Sequence, residues 1–259
     1  GSGTITNDVV VAGNGNSIDD ITVEGDALSY SCLSPAIING DLTYVSGGTK
    51  TCTVNGLTAT QTDEISIQSM PISQEQIDEW KDAATSGGVI SGNLSITNNQ
   101  TRTLGPVKIT GDLTIDNNST LNITGTIYVV GKITFDNNSI VKLDNLYGSL
   151  SGIIMSDGAI ESKNNAVLRG SGQAGSYLLA LSTKSGDSAV IIDNNATGAI
   201  FYASSGEILV KNNVSVKEAT GYKVRLDNNA IVEYESGLAD MIFSSGPSGG
   251  WEVVSWSEQ

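Results

Sequence analysis

Seven asparagine doublets punctuate the sequence, at 98–99, 117–118, 137–138, 164–165, 194–195, 212–213 and 228–229. Their first residues stand 19, 20, 27, 30, 18 and 16 positions apart, so one short unit keeps returning. A unit of this size cannot bury a core alone and is stable only when stacked on its copies. Asparagine is among the few non-glycine residues that accept left-handed backbone. Each doublet therefore marks a sharp corner at the same point of each unit.

Between the corners the pattern is that of strands. Leu94-Ser-Ile96, Leu113-Thr-Ile115, Ile133-Thr-Phe135, Ile208-Leu-Val210 and Val224-Arg-Leu226 precede doublets, and Leu121/Ile123, Val141/Leu143 and Val232/Tyr234 follow them. Apolar residues at alternate positions give a strand with one buried face. Gly92, Gly111, Gly131, Gly158 and Gly206 each stand six residues before a doublet, at a second corner. Short strands joined by corners predict an all-β right-handed parallel β-helix, a solenoid of stacked coils. Asn98, Asn117, Asn137, Asn164, Asn194, Asn212 and Asn228 would then stack ~4.8 Å apart as a ladder that satisfies buried amides. The two long spacings place insertions around Asp144–Ser151 and Lys184–Ser188.

Residues 4–69 carry a weaker version of this grammar and are expected to form a β-rich N-terminal extension ahead of a β-helix domain at 70–259. Val23-Glu-Gly25-Asp, Ile38-Asn-Gly40-Asp and Val54-Asn-Gly56-Leu repeat there and resemble Ile109-Thr-Gly111-Asp. The pattern does not say whether they continue the same stack. The opening Gly1-Ser2-Gly3 has the character of an expression scar.

One helix is predicted, over 74–85. Ser73 and Gln76 have capping-box spacing, Glu75 falls in the first turn, and Gly87-Gly88 ends the segment. Ile77, Trp80 and Ala84 share a face. The expectation is that this helix caps the open end of the first coil with Trp80 as its anchor, and that Gly250–Gln259, with Trp251 and Trp256, closes the other end.

Charge and residue usage exclude several functions. With 28 acidic residues against 13 basic, the net charge of −15 opposes phosphate backbones and anionic lipid, so nucleic acid is not an expected partner. The chain has no histidine, which removes Ser-His-Asp triads and imidazole metal sites. No run approaches the ~18 apolar residues of a spanning helix. Cys32 and Cys52 are too few for a zinc cage, and in a chain that reads as extracellular a disulfide is their expected use.

The remaining candidates lie on outward columns. Thr97, Asp116, Asp136, Lys163, Asp193, Lys211 and Asp227 precede the doublets and should stack as an exposed ionic ladder. Asp116 and Asp136 adjoin without an intervening lysine and form a weak candidate for calcium; no other cofactor is expected. Ile191 and Leu209 adjoin as an outward apolar pair, a candidate patch for a partner or beneath a loop. Arg225 should stack beside Leu209, and Glu161 between Thr134 and Ile191. No carboxylate pair converges, so no catalytic residue is assigned. Tyr147, Tyr177, Tyr202 and Tyr222 fall in or near loops, where they either stack on sugars or pack in the core.

Met70-Pro-Ile-Ser-Gln-Glu-Gln-Ile-Asp-Glu-Trp80, Leu104-Gly-Pro-Val-Lys-Ile-Thr-Gly-Asp-Leu-Thr-Ile115, Gly125-Thr-Ile-Tyr-Val-Val-Gly131, Gly170-Ser-Gly-Gln-Ala-Gly-Ser176, Ala199-Ile-Phe-Tyr-Ala-Ser204 and Tyr234-Glu-Ser-Gly-Leu-Ala239 carry a family resemblance. Over residues 70–258 the chain resembles PilX-like, type IV pilus-associated β-helical surface proteins of uncultivated small-genome bacteria. The resemblance implies a pilin-like hydrophobic N-terminal helix ahead of this sequence, cell-surface anchoring through it, and pilus components, a host-cell surface or a glycan as partners. The expected function is a non-enzymatic, extracellular structural and adhesive module. Its rivals are a polysaccharide lyase or hydrolase and a self-assembling polymer subunit.

Overall fold

The structure, a computed structural model, describes residues 3–67, 70–232 and 246. Short parallel strands wind into three-walled coils. In one complete coil Val107–Ile109 forms the first wall, Leu113–Ile115 the second and Thr120–Ile123 the third, and Ile127–Val129 then returns onto the first. Register is kept on every wall: Val107 pairs with Ile127, Leu113 with Ile133 and Leu121 with Val141. Alternation turns Ile109, Leu113, Ile115, Leu121 and Ile123 inward, and none of them is solvent-accessible. At roughly 1.5–3 kcal/mol per buried aliphatic side chain, this stacked interior is the main source of stability.

All fourteen residues of the seven doublets have left-handed backbone, with φ between 44° and 62°. Corners bond to the next coil, as in Asn118 N to Asn137 O at 2.9 Å and Asn138 N to Asn164 O at 2.9 Å. The amides form the ladder: Asn138 Nδ2 donates to Asn118 Oδ1 at 3.2 Å, Asn194 Nδ2 to Asn164 Oδ1 at 2.9 Å, and Asn228 Nδ2 to Asn212 Oδ1 at 2.8 Å. The ladder is not buried. It runs along an outer edge of the prism, and the residue after the doublet (Ser119, Ser139, Ala166, Ala196, Val214 or Ala230) turns into the core. Two successive left-handed residues carry the chain outward and back, which leaves their side chains at the rim.

The glycine corner works differently. Gly131 is not left-handed; a Cβ there would stand 2.1 Å from Asp112 Oδ1 and 2.7 Å from Gly111 O. Gly131 N donates to Gly111 O at 3.1 Å, and the next amide, Lys132 N, donates to Asp112 Oδ1 at 2.8 Å. The same arrangement recurs near the N-terminus, where Gly40 N donates to Gly25 O at 3.0 Å and Asp41 N to Asp26 Oδ1 at 2.8 Å. Close coil contact excludes a side chain at the glycine and leaves the following carboxylate to accept a backbone N–H.

The N-terminal strands join the far end of the main array. Thr4 and Ile5 pair in parallel with Ile231 and Val232, and the third wall continues through Ile21–Val23, Ile37–Ile38 and Thr53–Val54. That wall therefore runs unbroken from Thr101–Leu104 through 120, 140, 167, 197, 215 and 231 to residues 4, 22, 37 and 53. Gly3 belongs to this stack and is no leftover: it is buried, and a Cβ on it would fall 2.1 Å from Leu226 Cβ. The Cys32–Cys52 disulfide ties two of the N-terminal coils together.

The helix spans Gln74–Ser86, with the Ser73 side chain accepting from Gln76 N at 3.2 Å and with Ile77, Trp80 and Ala84 buried. Its place differs from the end-cap expectation. It lies on the outer side of the first wall, where its buried face meets Tyr128, Ile153, Met155, Leu179, Leu181, Ile200 and Tyr202. Those strands, such as Gly152–Ser156 and Leu178–Ser182, are buried on both faces. The first wall is thus apolar outside as well as inside, and the helix is its cover. The proposed closure by 250–259, including Trp251 and Trp256, lies outside the described residues.

Candidate functional site: a cationic groove on the third wall

The carboxylates before the doublets act first as corner acceptors. Asp116 Oδ1 accepts from Asn117 N at 2.6 Å and from Asn137 Nδ2 at 2.8 Å; Asp136 Oδ1 accepts from Asn137 N at 2.8 Å and from Asn164 Nδ2 at 2.6 Å. Lysine completes the ladder: Lys163 lies 3.4 Å from Asp136 and 3.7 Å from Glu161, and Lys211 lies 3.1 Å from Asp193. Asp116 and Asp136 are thus engaged with amides, and among the described residues no group of three or more acidic or thiol side chains could hold a metal ion.

The second wall stacks Thr134, Glu161, Ile191, Leu209 and Arg225 in that order. Ile191 and Leu209 do adjoin, but they offer no open apolar surface, because Leu209 is only 5% exposed and Ile191 is half-buried. Beside them Glu207 is buried, 2.9 Å from Lys223, and accepts from Ser188 N at 3.2 Å. Burial alone would raise the Glu207 carboxyl; the lysine and the backbone N–H outweigh it and hold it below the usual carboxylate range.

A second polar cluster fastens the helix. Asp157 lies 2.6 Å from Lys81 and accepts from Tyr128 Oη at 2.5 Å and Thr183 Oγ1 at 2.7 Å. Burial pushes Asp157 up, but hydrogen bonds from Lys81, Tyr128 and Thr183 prevail and keep it low. Burial, and then the bond to Asp157, push the Tyr128 phenol well above its ordinary range. Lys81 and Lys108 stand 5.2 and 5.3 Å from the Tyr128 ring. Through Lys81 this cluster joins the helix to the first wall.

The four tyrosines divide between core and surface. Tyr147 and Tyr202 are buried, and Tyr202 Oη donates to Ile72 O at 3.2 Å; Tyr222 is 84% exposed and Tyr177 is half-buried. Tyr177 opens onto a groove of about 460 Å³ on the third wall, lined also by Arg169, Gln173, Thr197, Gly198 and Lys217. One side of the groove is the loop after Val167–Arg169, an insertion the doublet spacing assigns only to 184–188. Ser171 N and Leu150 O both bond Ser176 Oγ, at 2.9 and 2.7 Å, Ser171 Oγ donates to Gly148 O, and Tyr177 N donates to Ser151 Oγ at 2.9 Å. The loop is thereby pinned to the 144–151 insertion of the coil beside it.

Among the described residues the charged side chains that line the groove are Arg169 and Lys217, both cations on a strongly acidic chain. Lys142 pairs directly with Arg169 across the third wall. Val167 bridges Thr197 and Gly198 pairs with Val216, which places Arg169 and Lys217 on one outward column two coils apart. The column is countable from the doublets, since Lys142, Arg169 and Lys217 each stand four residues after the second asparagine of a doublet; the expectations above stack charge only at the positions before the doublets. Comparison with known protein families, with curated proteins and with solved structures finds no match to this chain.

Proposed function

We propose that the chain is a non-enzymatic structural and adhesive module of the cell surface, pilin-like or type IV pilus-associated, that holds a binding face on a stiff rod. The observation that carries this reading is the unbroken third wall. From Thr101 to Val54 it passes through eleven strand levels, a span of ~48 Å at ~4.8 Å per level. Backbone bonds at both kinds of corner resist bending along that length. The disulfide in the N-terminal coils suits an oxidising, extracellular setting.

Arg102 supports this reading over a polymer subunit stacked end to end. It pairs with Leu121, in the column continued inward by Val141 and Leu168, yet it is exposed at the first coil. A charge at a core position of the last strand discourages a further strand from adding there. The test is attachment of the labelled chain to bacterial and host cells and to a glycan array, with negative-stain imaging of the same sample. Saturable attachment by single rods is expected; filaments, or product released from a glycan, would replace the reading with a polymer or an enzyme.

A further inference from the structure

We propose that the third-wall groove binds an acidic oligosaccharide, with Arg169 and Lys217 holding its carboxylates and Tyr177 supporting a sugar ring; this rests on the adhesive reading and names its ligand class. Lys81, Lys132, Lys163, Lys211, Lys223 and Arg225 each have a carboxylate within 4.0 Å. Among the described residues Lys50, Lys108, Lys184, Arg102, Lys142 and Arg169 have none, and of these Lys142 and Arg169 stand side by side on neighbouring strands. Like charges directly opposite on a sheet repel. In a chain of net charge −15, a pair of cations kept together without a counter-ion fits a site whose negative partner arrives from outside.

The geometry selects among anions. Arg169 and Lys217 lie ~9.6 Å apart along the stack, two coil spacings, so they suit charges that are spaced rather than crowded. A guanidinium grips a carboxylate through two parallel N–H donors, and lysine acts as a point charge. Thr197 and Gly198 also line the groove, where Tyr177 offers an aromatic surface and Gln173 an amide. Nucleic acid, with its dense charge, is repelled by the rest of the chain. The groove wall is already braced by its bonds to the 144–151 segment, so little ordering is needed on binding.

The experiment is calorimetric titration of the full chain with a short oligogalacturonate, its carboxyl-reduced neutral counterpart and an oligoglutamate peptide. Binding of the oligogalacturonate alone is expected, weakening as salt rises. The double variant Arg169→Gln, Lys217→Gln should lose at least ~10-fold in affinity, the order expected for losing one charged contact, while keeping the β circular-dichroism spectrum of the parent. Lys50→Gln, at an exposed position elsewhere, should bind as the parent does. No binding, equal binding of the neutral sugar, preference for the peptide, or an unaffected double variant overturns the proposal. Cell attachment separates the two readings: attachment kept by the double variant leaves the adhesive role without this site, whereas sugar binding without attachment leaves the site without the adhesive role.

Discussion

Thr4 lies beside Ile231. The pair is parallel, Thr4 N donates to Ala230 O at 3.0 Å, and the adjoining Gly3 is packed against Leu226 with no room for a side chain. One stack is thus built from two pieces of chain whose order in space reverses their order in sequence. Gly3→Val should separate them. The expected result is rapid proteolytic loss of residues 3–61 while the 89–232 coils persist, read by limited digestion and mass spectrometry; an intact digestion pattern would count against this junction.

Asn164 occupies the middle of the ladder, donating to Asp136 at 2.6 Å and accepting from Asn194 at 2.9 Å, with φ of 51°. Asn164→Ala loses both bonds and adds left-handed strain, for a cost of about 2–3 kcal/mol. Asn164→Gly keeps the backbone comfortable and should cost about 1–2 kcal/mol. Denaturant unfolding of both variants checks the order; a glycine variant as unstable as the alanine one would mean that φ contributes little.

Trp80 is fully buried between the helix and the first wall. Trp80→Ala should destabilise by about 3–5 kcal/mol and expose the outer faces of Ile153, Leu179 and Ile200. Dye binding to the exposed apolar wall, together with equilibrium unfolding, is the measurement. An end cap would instead leave that wall unchanged.

Asp157 links the helix to the wall through a carboxylate held low by Lys81, Tyr128 and Thr183 against the effect of burial. A folded value below the unfolded one means that the contribution is complete above the ordinary carboxylate pKa of about 3.9 and is lost as pH falls through the folded value. Asp157→Asn should therefore be less stable than the parent at neutral pH, and the difference should shrink below about pH 4. Melting temperatures across that range test it; a gap that persists in acid would assign the loss to packing.

Much of this architecture was legible in the residues, because the solenoid repeats one local solution. The doublets declare their left-handed corners, alternation declares which side is core, and Ser73, Ile77, Trp80 and Ala84 declare the helix and its buried face. What was not legible depends on distance in the chain. Nothing local to Thr4 points to Ile231, since any parallel strand edge would satisfy it equally. The helix has a second apolar surface to cover besides an open end, because Ile153, Leu179 and Ile200 face outward from the first wall, and in a run of consecutive apolar residues nothing marks which face is outer. The Arg169 and Lys217 column has a constant offset of four from its doublets, and so was legible too, but charge after the doublets carries no alternation to draw attention to it. The doublet amides were read as buried because a ladder requires partners, but it requires no burial.

The Thr4–Ile231 junction also sets an order of events during synthesis. Residues 3–61 have no array to dock on until Ile231 and Val232 have been made, so the N-terminal coils must wait while the coils after the helix assemble.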